Sequence, residues 1–479
     1  MKNFIAAFLL CSFYASLYAL PTDSLDATFQ SGSGFDDDVY CMTVLPNDQI
    51  LLGGSFQTYN GTPRACIIRL NADGTCDNSF LATSRGVTSS PSSTWPAVRC
   101  IYVQSDGKIL IGGNFDSING IRRYNIARLN NDGSIDMSFD PDTVLNNQGN
   151  RVRSITELPS GKIYVGGDLT LNGSIIPKNL ICLTSSGILD NSGFNIGTGN
   201  IGGIDKVYAL PSGKLLVSGD FDHFNGVADT GLVRIDSMGN VDPTFVARSV
   251  GYLGTFAVRN DGKIVTLNSE IHRLNDDGSL DHSFDAGSGF DQNTPTSVVI
   301  QPDGKMLVGG YVTGYRGVGV LGLVRINVDG TYDATFNLNN GFDQGGIYCT
   351  GVQSNGKIIA AGDFLYFNNS HHMDRIARLK SNLGPTLSIV NVPDAKLLSV
   401  YPNPIAAQAT IMIDEVEAAE VDVVISDMMG RPIKVLYSGS PSIHQIAFST
   451  SEITSGSYLI TVSDTKDRKI ISTRRVAVQ

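Results

Sequence analysis

At 479 residues the chain is long enough for more than one domain and a large core. Gly is abundant at 52, charged residues are only 17%, and the formal net charge is −11. This is a turn-rich, β-type composition, and an acidic chain without a basic block argues against nucleic acid or an anionic membrane surface as the main partner.

The chain opens on "MKNFIAAFLLCSFYASLYAL", a Lys followed by an apolar run and by small residues at Ala15 and Ala19. This reads as a secretory signal peptide over residues 1–19. A lipoprotein signal would need a small residue before Cys11, where the chain has Leu10. No later segment has about eighteen unbroken apolar residues, so no membrane span is expected in the mature protein. The six remaining cysteines form no CxxC pair, which speaks against a zinc ribbon.

From residue 20 to about 384 the chain repeats itself. "QSDGKILIGGNFDSING", "LPSGKIYVGGDLTLNG", "LPSGKLLVSGDFDHFNG" and "QPDGKMLVGGYVTGYRG" are variants of one sentence. Aligned on the Gly-Lys dipeptide they mark Lys108, Lys162, Lys214, Lys263, Lys305 and Lys357, with Gln49 in the same slot of the first unit. That makes seven units, spaced by 59, 54, 52, 49, 42 and 52 residues. Such a period signals a repeat architecture. Within the first unit "VYCMTVLP", "QILLGGSF" and "ACIIRLN" read as strands, and "CDNSF" after an Asp-Gly turn begins a fourth. Four antiparallel strands per unit of this size is one propeller blade, so the fold class is all-β, a seven-bladed β-propeller. The paired glycines, such as Gly53-Gly54 and Gly112-Gly113, lie inside the second strand, where Gly permits a bulge or close approach of a neighbouring sheet. Phe80, Phe139, Phe245, Phe284 and Phe336 are expected to fill the space between blades.

Five units end in Asp-x-x-Phe, and the third has the longer "LDNSGF". The seventh lacks this element, and "SLDATF" at Ser24–Phe29 supplies it. The N-terminus is therefore expected to complete the last blade, leaving no exposed edge. Cys41, Cys100 and Cys349 fall at equivalent innermost-strand positions, where other units have Ser154, Thr255 and Ser297, and read as free core thiols. Lys206 occupies the same slot, and the sequence offers no account of it.

These units resemble the delta-60 repeat, a propeller-type repeat with "DGKIxxGGxF", "RxNxDGSxDxxF" and "NG" elements. The fifth unit departs from the pattern: "DGKIVTLNSEIHRLNDDG" lacks the paired glycines and the long second loop. The resemblance implies the fold and a secreted or cell-surface setting, and no established activity.

After a linker over 385–396 the repeat vanishes. Residues 397–479 hold short alternating strands that read as a small immunoglobulin-like β-sandwich. Tyr401-Pro402-Asn403-Pro404, Asp427 with Gly430 in "DMMGRPIKVL", and Gly456 with Tyr458 in "SGSYLITV" resemble the C-terminal sorting domain of the type IX secretion system of Bacteroidota. That resemblance implies transport across the outer membrane and removal of the domain by the system's sortase, making the secretion machinery and its sortase the expected partners.

Propeller ligands gather on the face formed by the loops between strands two and three and between blades, because loops on a rigid ring converge on the channel mouth. Those loops carry Trp95, Arg123, Tyr124, Tyr315 and Arg316, residue types that stack on sugars or anchor a protein. His371, His372 and Asp374 lie there too, a weak metal pattern. Gly-Phe-Asp occurs in three blade-linking loops, giving Asp36 (followed by Asp37 and Asp38), Asp291 and Asp343. Carboxylates from neighbouring blades make Asp36, Asp291 and Asp343 candidate ligands for Ca²⁺, a cation that takes oxygen donors. The competing reading is that these Asp side chains cap turns. The recurring Asp73/Asp77, Asp132/Asp136 and Asp329/Asp333 pairs on the opposite face read as turn chemistry. No catalytic motif such as Gly-x-Ser-x-Gly, HExxH or a P-loop is present.

Three functions follow as expectations. The first is a secreted or surface binding protein for an extracellular glycan or protein, with no catalytic residues. The second is an enzyme, a metal-assisted hydrolase or carbohydrate-active lyase, at the channel mouth. The third is a structural surface-layer component. Any ligand site is expected on the face of the Gly-Phe-Asp loops, near blades six, seven and one.

Overall fold

Every repeat begins with an apolar strand, turns (at Asp-Gly or Ser-Gly in the middle five, Asn47-Asp48 in the first and Asn355-Gly356 in the last), and returns through a second strand buried on both faces. A computed structural model describes residues 24–380 and 398–478, apart from 82–85, 90–94, 143, 146–148, 175–177, 195–201, 229–230, 248–250, 252–253, 292–293, 344, 370, 402–404, 406–407, 414–419, 428–431, 441–444, 452, 454–455 and 466–469. The expected signal peptide lies outside the described residues. Contacts divide the chain into two units, one holding the repeats and one the C-terminal strands.

In the first repeat Val39–Val44 pairs antiparallel with Ile50–Gly54, which pairs with Ile67–Leu70. The same three-stranded meander recurs with leading strands Ala97–Val103, Arg151–Glu157, Ile204–Ala209, Thr255–Val258, Pro295–Ile300 and Ile347–Val352. The fourth strand is reduced to a bridge: Leu70 to Cys76, Leu129 to Ile135, Leu183 to Leu189, Ile235 to Val241, Leu274 to Leu280 and Ile326 to Tyr332. Each leading strand touches the next, and that of the last repeat touches that of the first, so the order is cyclic.

The missing bridge of the last repeat comes from the N-terminus. Leu25 bridges Leu379, the Asp26 N–H donates to the Arg378 carbonyl at 2.8 Å, and the Lys380 N–H donates to the Ser24 carbonyl at 2.7 Å. The expected closure is observed.

Both glycines of the pair are required by their neighbours. A Cβ on Gly53 would lie 2.6 Å from Val98 Cγ1 of the next repeat and 2.7 Å from Cys41 Sγ. A Cβ on Gly54 would run into the Asp38 carbonyl, immediately before its own leading strand, and Gly113 and Gly167 stand in a similar relation to Ala97 and Arg151 at the start of theirs. The expected close approach and the expected bulge are thus both present, one for each glycine.

The Asp-x-x-Phe element has a function that its sequence pattern hides. Its carboxylate is buried and joins two cations: Asp136 meets Arg128 Nε at 2.7 Å and Lys108 Nζ at 2.9 Å. Asp242, Asp281 and Asp333 do the same with Arg234 and Lys214, Arg273 and Lys263, and Arg325 and Lys305. Asp26 joins Arg378 at 2.8 Å and Lys357 at 2.7 Å, so the N-terminus brings the ion pair as well as the strand. Asp77 pairs with Arg69 and takes the amide of Gln49, the residue in the lysine slot. The turn chemistry expected of these pairs is present at both positions, Asp73 capping Thr75 and Asp77, Asp136 and Asp333 capping Ser79, Ser138 and Thr335 through Oδ1; the ion pairs on Oδ2 are an added role that the sequence reading did not give them. Burial alone would raise these carboxyls, but bonds from Ser138, Lys108 and Arg128 outweigh it and hold Asp136 well below the ordinary range.

The arginine also ties its repeat to the next. Arg69, Arg128 and Arg234 Nη1 donate to the carbonyls of Asn131, Ser185 and Asp276 at 2.6, 2.6 and 2.5 Å. Arg378 closes the circle on the Ala72 carbonyl at 2.5 Å. Each guanidinium lies over the phenylalanine of the motif, 4.8 Å from Phe80 and 4.9 Å from Phe139. Phe80 and Phe139 sit in clusters that span two adjacent repeats, as expected. In the third repeat Cys182 replaces the arginine. Tyr164, opposite it, sends its hydroxyl 2.9 Å to the Ser237 carbonyl, the equivalent acceptor. Two substitutions therefore preserve one inter-repeat bond.

In the C-terminal unit Leu398–Tyr401, Gln408–Ile413 and Gln445–Ser449 form one antiparallel sheet. Pro432–Gly439, Val421–Asp427, Gly456–Asp464 and Ile470–Val478 form a second. Alternate residues of both, including Val400, Ile411, Val423, Ile460 and Val476, share one core.

Candidate functional site

The Gly-Phe-Asp loops are structural. Phe35, Phe290 and Phe342 are buried and pair with Tyr59, Tyr315 and Phe367 of their own second loops. Asp36 Oδ1 accepts the N–H groups of Gln57 and Thr58 at 2.8 and 2.9 Å, and Asp291 Oδ1 accepts that of Gly317 at 3.0 Å. Among the described residues no three His, Cys, Asp or Glu side chains converge as a metal site, so Asp36, Asp291 and Asp343 are not gathered as Ca²⁺ ligands. Asp37 caps the Asp38 amide at 2.9 Å.

The loop candidates divide. Tyr315 is completely buried and donates to the Gly330 carbonyl at 2.7 Å, which makes it core. Arg123 is buried, its guanidinium 2.8 Å from the Arg122 carbonyl. Arg316 donates to the Asp285 carbonyl at 2.7 Å. Tyr124 lies under the Arg122 guanidinium, 5.6 Å away. His372 meets Asp374 at 3.1 Å and packs edge-on with the Tyr366 ring, centroids 5.0 Å apart. Trp95 is 85% exposed. Beside the shortened loop of the fifth repeat lies a hollow of about 240 Å³ lined by Glu270, His272 and Asp285.

The distinctive surface was not anticipated. In six repeats the leading strand bulges one or two residues after its start, between Val39 and Cys41, Val98 and Cys100, Val152 and Ser154, Ile204 and Lys206, Pro295 and Ser297, and Ile347 and Cys349. The residues left out of register are Tyr40, Arg99, Arg153, Asp205, Thr296 and Tyr348, all half-buried. A bulge re-aims a side chain without disturbing the ladder below it. Because leading strands are neighbours in a circle, these residues form an inner ring at the loop end of the strands.

They contact one another and the residue that follows the paired glycines. Arg99 lies 4.7 Å over the Tyr40 ring, and Tyr40 stacks on Tyr348 at 5.8 Å. The Tyr311 and Tyr348 hydroxyls donate to Asp363 Oδ2 at 2.6 and 2.9 Å, while Asp363 Oδ1 takes the Gly346 amide at 2.5 Å. Arg153 bridges Asp168 at 2.7 Å and Asp205 at 2.5 Å. Asn114 joins Trp95 to the ring: its Nδ2 donates to the Trp95 carbonyl at 2.5 Å, and its Oδ1 accepts from Arg99 Nε at 3.0 Å. Burial, the Tyr311 hydroxyl and the Asp363 charge all push the Tyr348 phenol up. Burial and then repulsion from Asp37 and Asp363 raise Asp38, whose carboxylate lies 3.8 Å from Arg375. The mouth is thus acidic and phenolic on the sixth, seventh and first repeats and carries arginines on the second and third.

Below the ring, Cys41, Cys100 and Cys349 are free, and burial pushes the Cys41 thiol up to about 12. Lys206 reaches across to the fifth repeat, where its Nζ donates to the Phe256 carbonyl at 2.7 Å and sits 5.2 Å from the Phe256 ring. It caps a backbone carbonyl of the fifth repeat's leading strand, and burial pushes its amine down to about 8.

Residues 45–80, 104–139, 158–192, 210–245, 301–336 and 353–383 match the domain of unknown function (DUF5122) beta-propeller, and 399–476 match the secretion system C-terminal sorting domain. The repeats are DUF5122 β-propeller repeats, delta-60 in type, and the tail is a type IX sorting domain. The sorting domain implies export to the cell surface or secretion and interaction with the type IX machinery. Of its motif residues, Asp427 and Tyr458 are cross-strand partners, Tyr401 and Gly456 lie in strands, and Pro402, Asn403, Pro404 and Gly430 lie outside the described residues. Among the described residues no helix is long and apolar enough to cross a membrane. Among curated proteins none matches.

Among solved structures the chain is similar to PorZ, described as an essential bacterial surface component of the type IX secretion system of Porphyromonas gingivalis. The identity is 15% and the TM-score 0.43, over 96% of this chain and 60% of that one. It is similar to the extracellular domain of the hybrid two-component system BT4673 from B. thetaiotaomicron at 14% identity and TM-score 0.44, over 92% of this chain and 56% of that one. A streptogramin B lyase gives 15% and 0.43, over 75% and 96%. The chain therefore spans about 60% or less of the first two.

Proposed function

We propose that the protein is a secreted or cell-surface binding protein whose ring of seven blades, residues 20–384, presents the bulged side chains to an extracellular glycan or protein. The observation that carries this is the ring of bulges. One backbone slot repeats around the mouth while its occupant changes from Tyr to Arg, Asp and Thr, the arrangement a scaffold uses to vary recognition without varying fold. The seven meanders, their cyclic contacts and the N-terminal bridge support the blade count. Residues 397–479, an immunoglobulin-like sandwich in this reading, direct passage through the outer membrane and are then removed by the sortase, with residues 1–19 as the earlier export signal.

The test uses arrays of glycans and of extracellular proteins probed with the mature chain and with Tyr348→Ala. Binding that the substitution abolishes supports the reading; arrays that stay blank, or signals indifferent to the substitution, oppose it. Separately, deleting residues 398–479 is expected to hold the chain in the periplasm, and normal export of the truncated chain would contradict the sorting role.

A further inference from the structure

The occupants of the bulge ring are not distributed evenly. Arg153 is neutralised by two carboxylates, Asp168 and Asp205. Arg99 has no carboxylate within ion-pair distance among the described residues: its Nε is held by the neutral Asn114, and its guanidinium lies over the Tyr40 ring. Burial and the positive charges of Arg151 and Arg153 disfavour the charged form of Arg99 and outweigh the opposing effects of Tyr40 and of Asp168. Arg99 and Arg151 are half-buried like charges with no ion-paired carboxylate of their own among the described residues, which costs stability, and an anion bound there would relieve the cost. Beside this subsite Tyr40 stacks on Tyr348, and beyond the stack Tyr311 and Tyr348 present Asp363. Aromatic faces receive the C–H face of a sugar ring, and the Asp363 carboxylate can accept from hydroxyls. From the acidic arc to the basic arc the mouth offers hydroxyl recognition, then ring stacking, then anion recognition.

We propose that the mouth is a subsite for an acidic saccharide, a uronate-bearing oligosaccharide whose carboxylate is held by Arg99 and Arg151 while a neighbouring ring stacks on Tyr40 and Tyr348. This rests on the reading that the mouth binds a ligand, and it names the class. Arg99 and Arg151 supply the planar donor forks that match a carboxylate. The bound anion neutralises the arginines, so affinity falls as salt rises.

The experiment is calorimetric titration of the full mature chain with tetragalacturonate and with a neutral galactose tetrasaccharide, on wild type, Arg99→Met and Arg151→Met. Far-ultraviolet circular dichroism and melting curves check that each variant is folded, and Arg151→Met serves if Arg99→Met is not. The expected result is saturable binding of the uronate, weakened at least tenfold in either arginine variant and weakened by salt, with the neutral sugar much poorer. Equal binding of the neutral sugar overturns the acidic class and leaves the mouth a glycan site. Uronate binding that the arginine substitutions leave unchanged puts the anion elsewhere and overturns the proposal. If neither sugar binds but a partner found on the protein array does so through Tyr348, the saccharide class is overturned and the binding reading survives. If nothing binds, both fall.

Discussion

Asp26→Ala separates closure of the ring by its N-terminus from simple proximity of that segment. Asp26 is buried, with Arg378 and Lys357 on one carboxylate oxygen and the Thr28 amide and hydroxyl on the other at 3.0 and 2.7 Å. Removing one member of a buried ion pair costs about 3–5 kcal/mol, because the remaining charge stays buried. Arg378 keeps bonds to the Ala72 carbonyl and to Gln353 Oε1, which places the cost at the lower end of that range. A ring of about 360 residues has an unfolding entropy of about 0.75 kcal/mol/K at its midpoint, so the lower end of the range corresponds to a shift of about 4 °C and its upper end to about 7 °C. The assay is differential scanning calorimetry of wild type, Asp26→Ala and Asp136→Ala, the last removing the same hub from the middle of the chain. Similar shifts are expected. A loss of less than about 1 °C for Asp26→Ala beside a full loss for Asp136→Ala would refute the N-terminal strand as part of the last repeat.

Tyr164→Phe strips the Ser237 carbonyl of its donor and is expected to cost about 1–2 kcal/mol in urea unfolding; combining Tyr164→Leu with Cys182→Arg should recover that loss, and a double variant weaker than Tyr164→Phe contradicts the exchange. The hub carboxylates are held below their unfolded value, so their stabilisation is present above about pH 4 and lost as pH falls below it; melting temperature should drop steeply there, and a flat profile from pH 6 to 2.5 opposes the role given to the hubs. Lys206 has a folded pKa of about 8 against an ordinary 10.5, so the unfolded state binds its proton more tightly and wild-type stability rises with pH between those values. Lys206→Met should therefore be the more stable at pH 7, by a margin that shrinks toward pH 10, and a margin independent of pH rules out the burial argument.

The fold was largely legible because repetition repeats its own reasons. Seven copies of one strand pattern, and one copy short of its Asp-x-x-Phe, were enough to assign the closing strand to Ser24–Phe29. The site was not legible, for two physical reasons. A bulge is a mismatch between two strands, and nothing in Tyr40, Arg99 or Tyr348 taken singly marks them as out of register. The signal lay in the alignment itself, in one column of varied polar and aromatic residues inside an apolar strand. The ion-pair hubs were missed because their arginine lies eight residues before the aspartate and on another strand, as in Arg128 and Asp136. Tyr315 was misassigned because "GYRG" looks like an exposed loop tip. Its equivalents Tyr59, Ile118, Phe224 and Phe367 are large and apolar in bulk, and all are buried, so the recurrence was the sign of core.

The central claim is that ligand engages the bulged ring at the channel mouth, and the chain carries its own reporter. Trp95 is the single tryptophan, 85% exposed and linked through Asn114 to Arg99. Its emission should therefore respond to occupation of the ring. Titrating the mature chain with a ligand taken from the arrays, following Trp95 emission and calorimetric heat together, is expected to give a saturable spectral shift with the same midpoint as the heat, and both should vanish in Tyr348→Ala. Heat of binding with unchanged Trp95 emission, and undiminished in Tyr348→Ala, would place the ligand elsewhere and contradict the account.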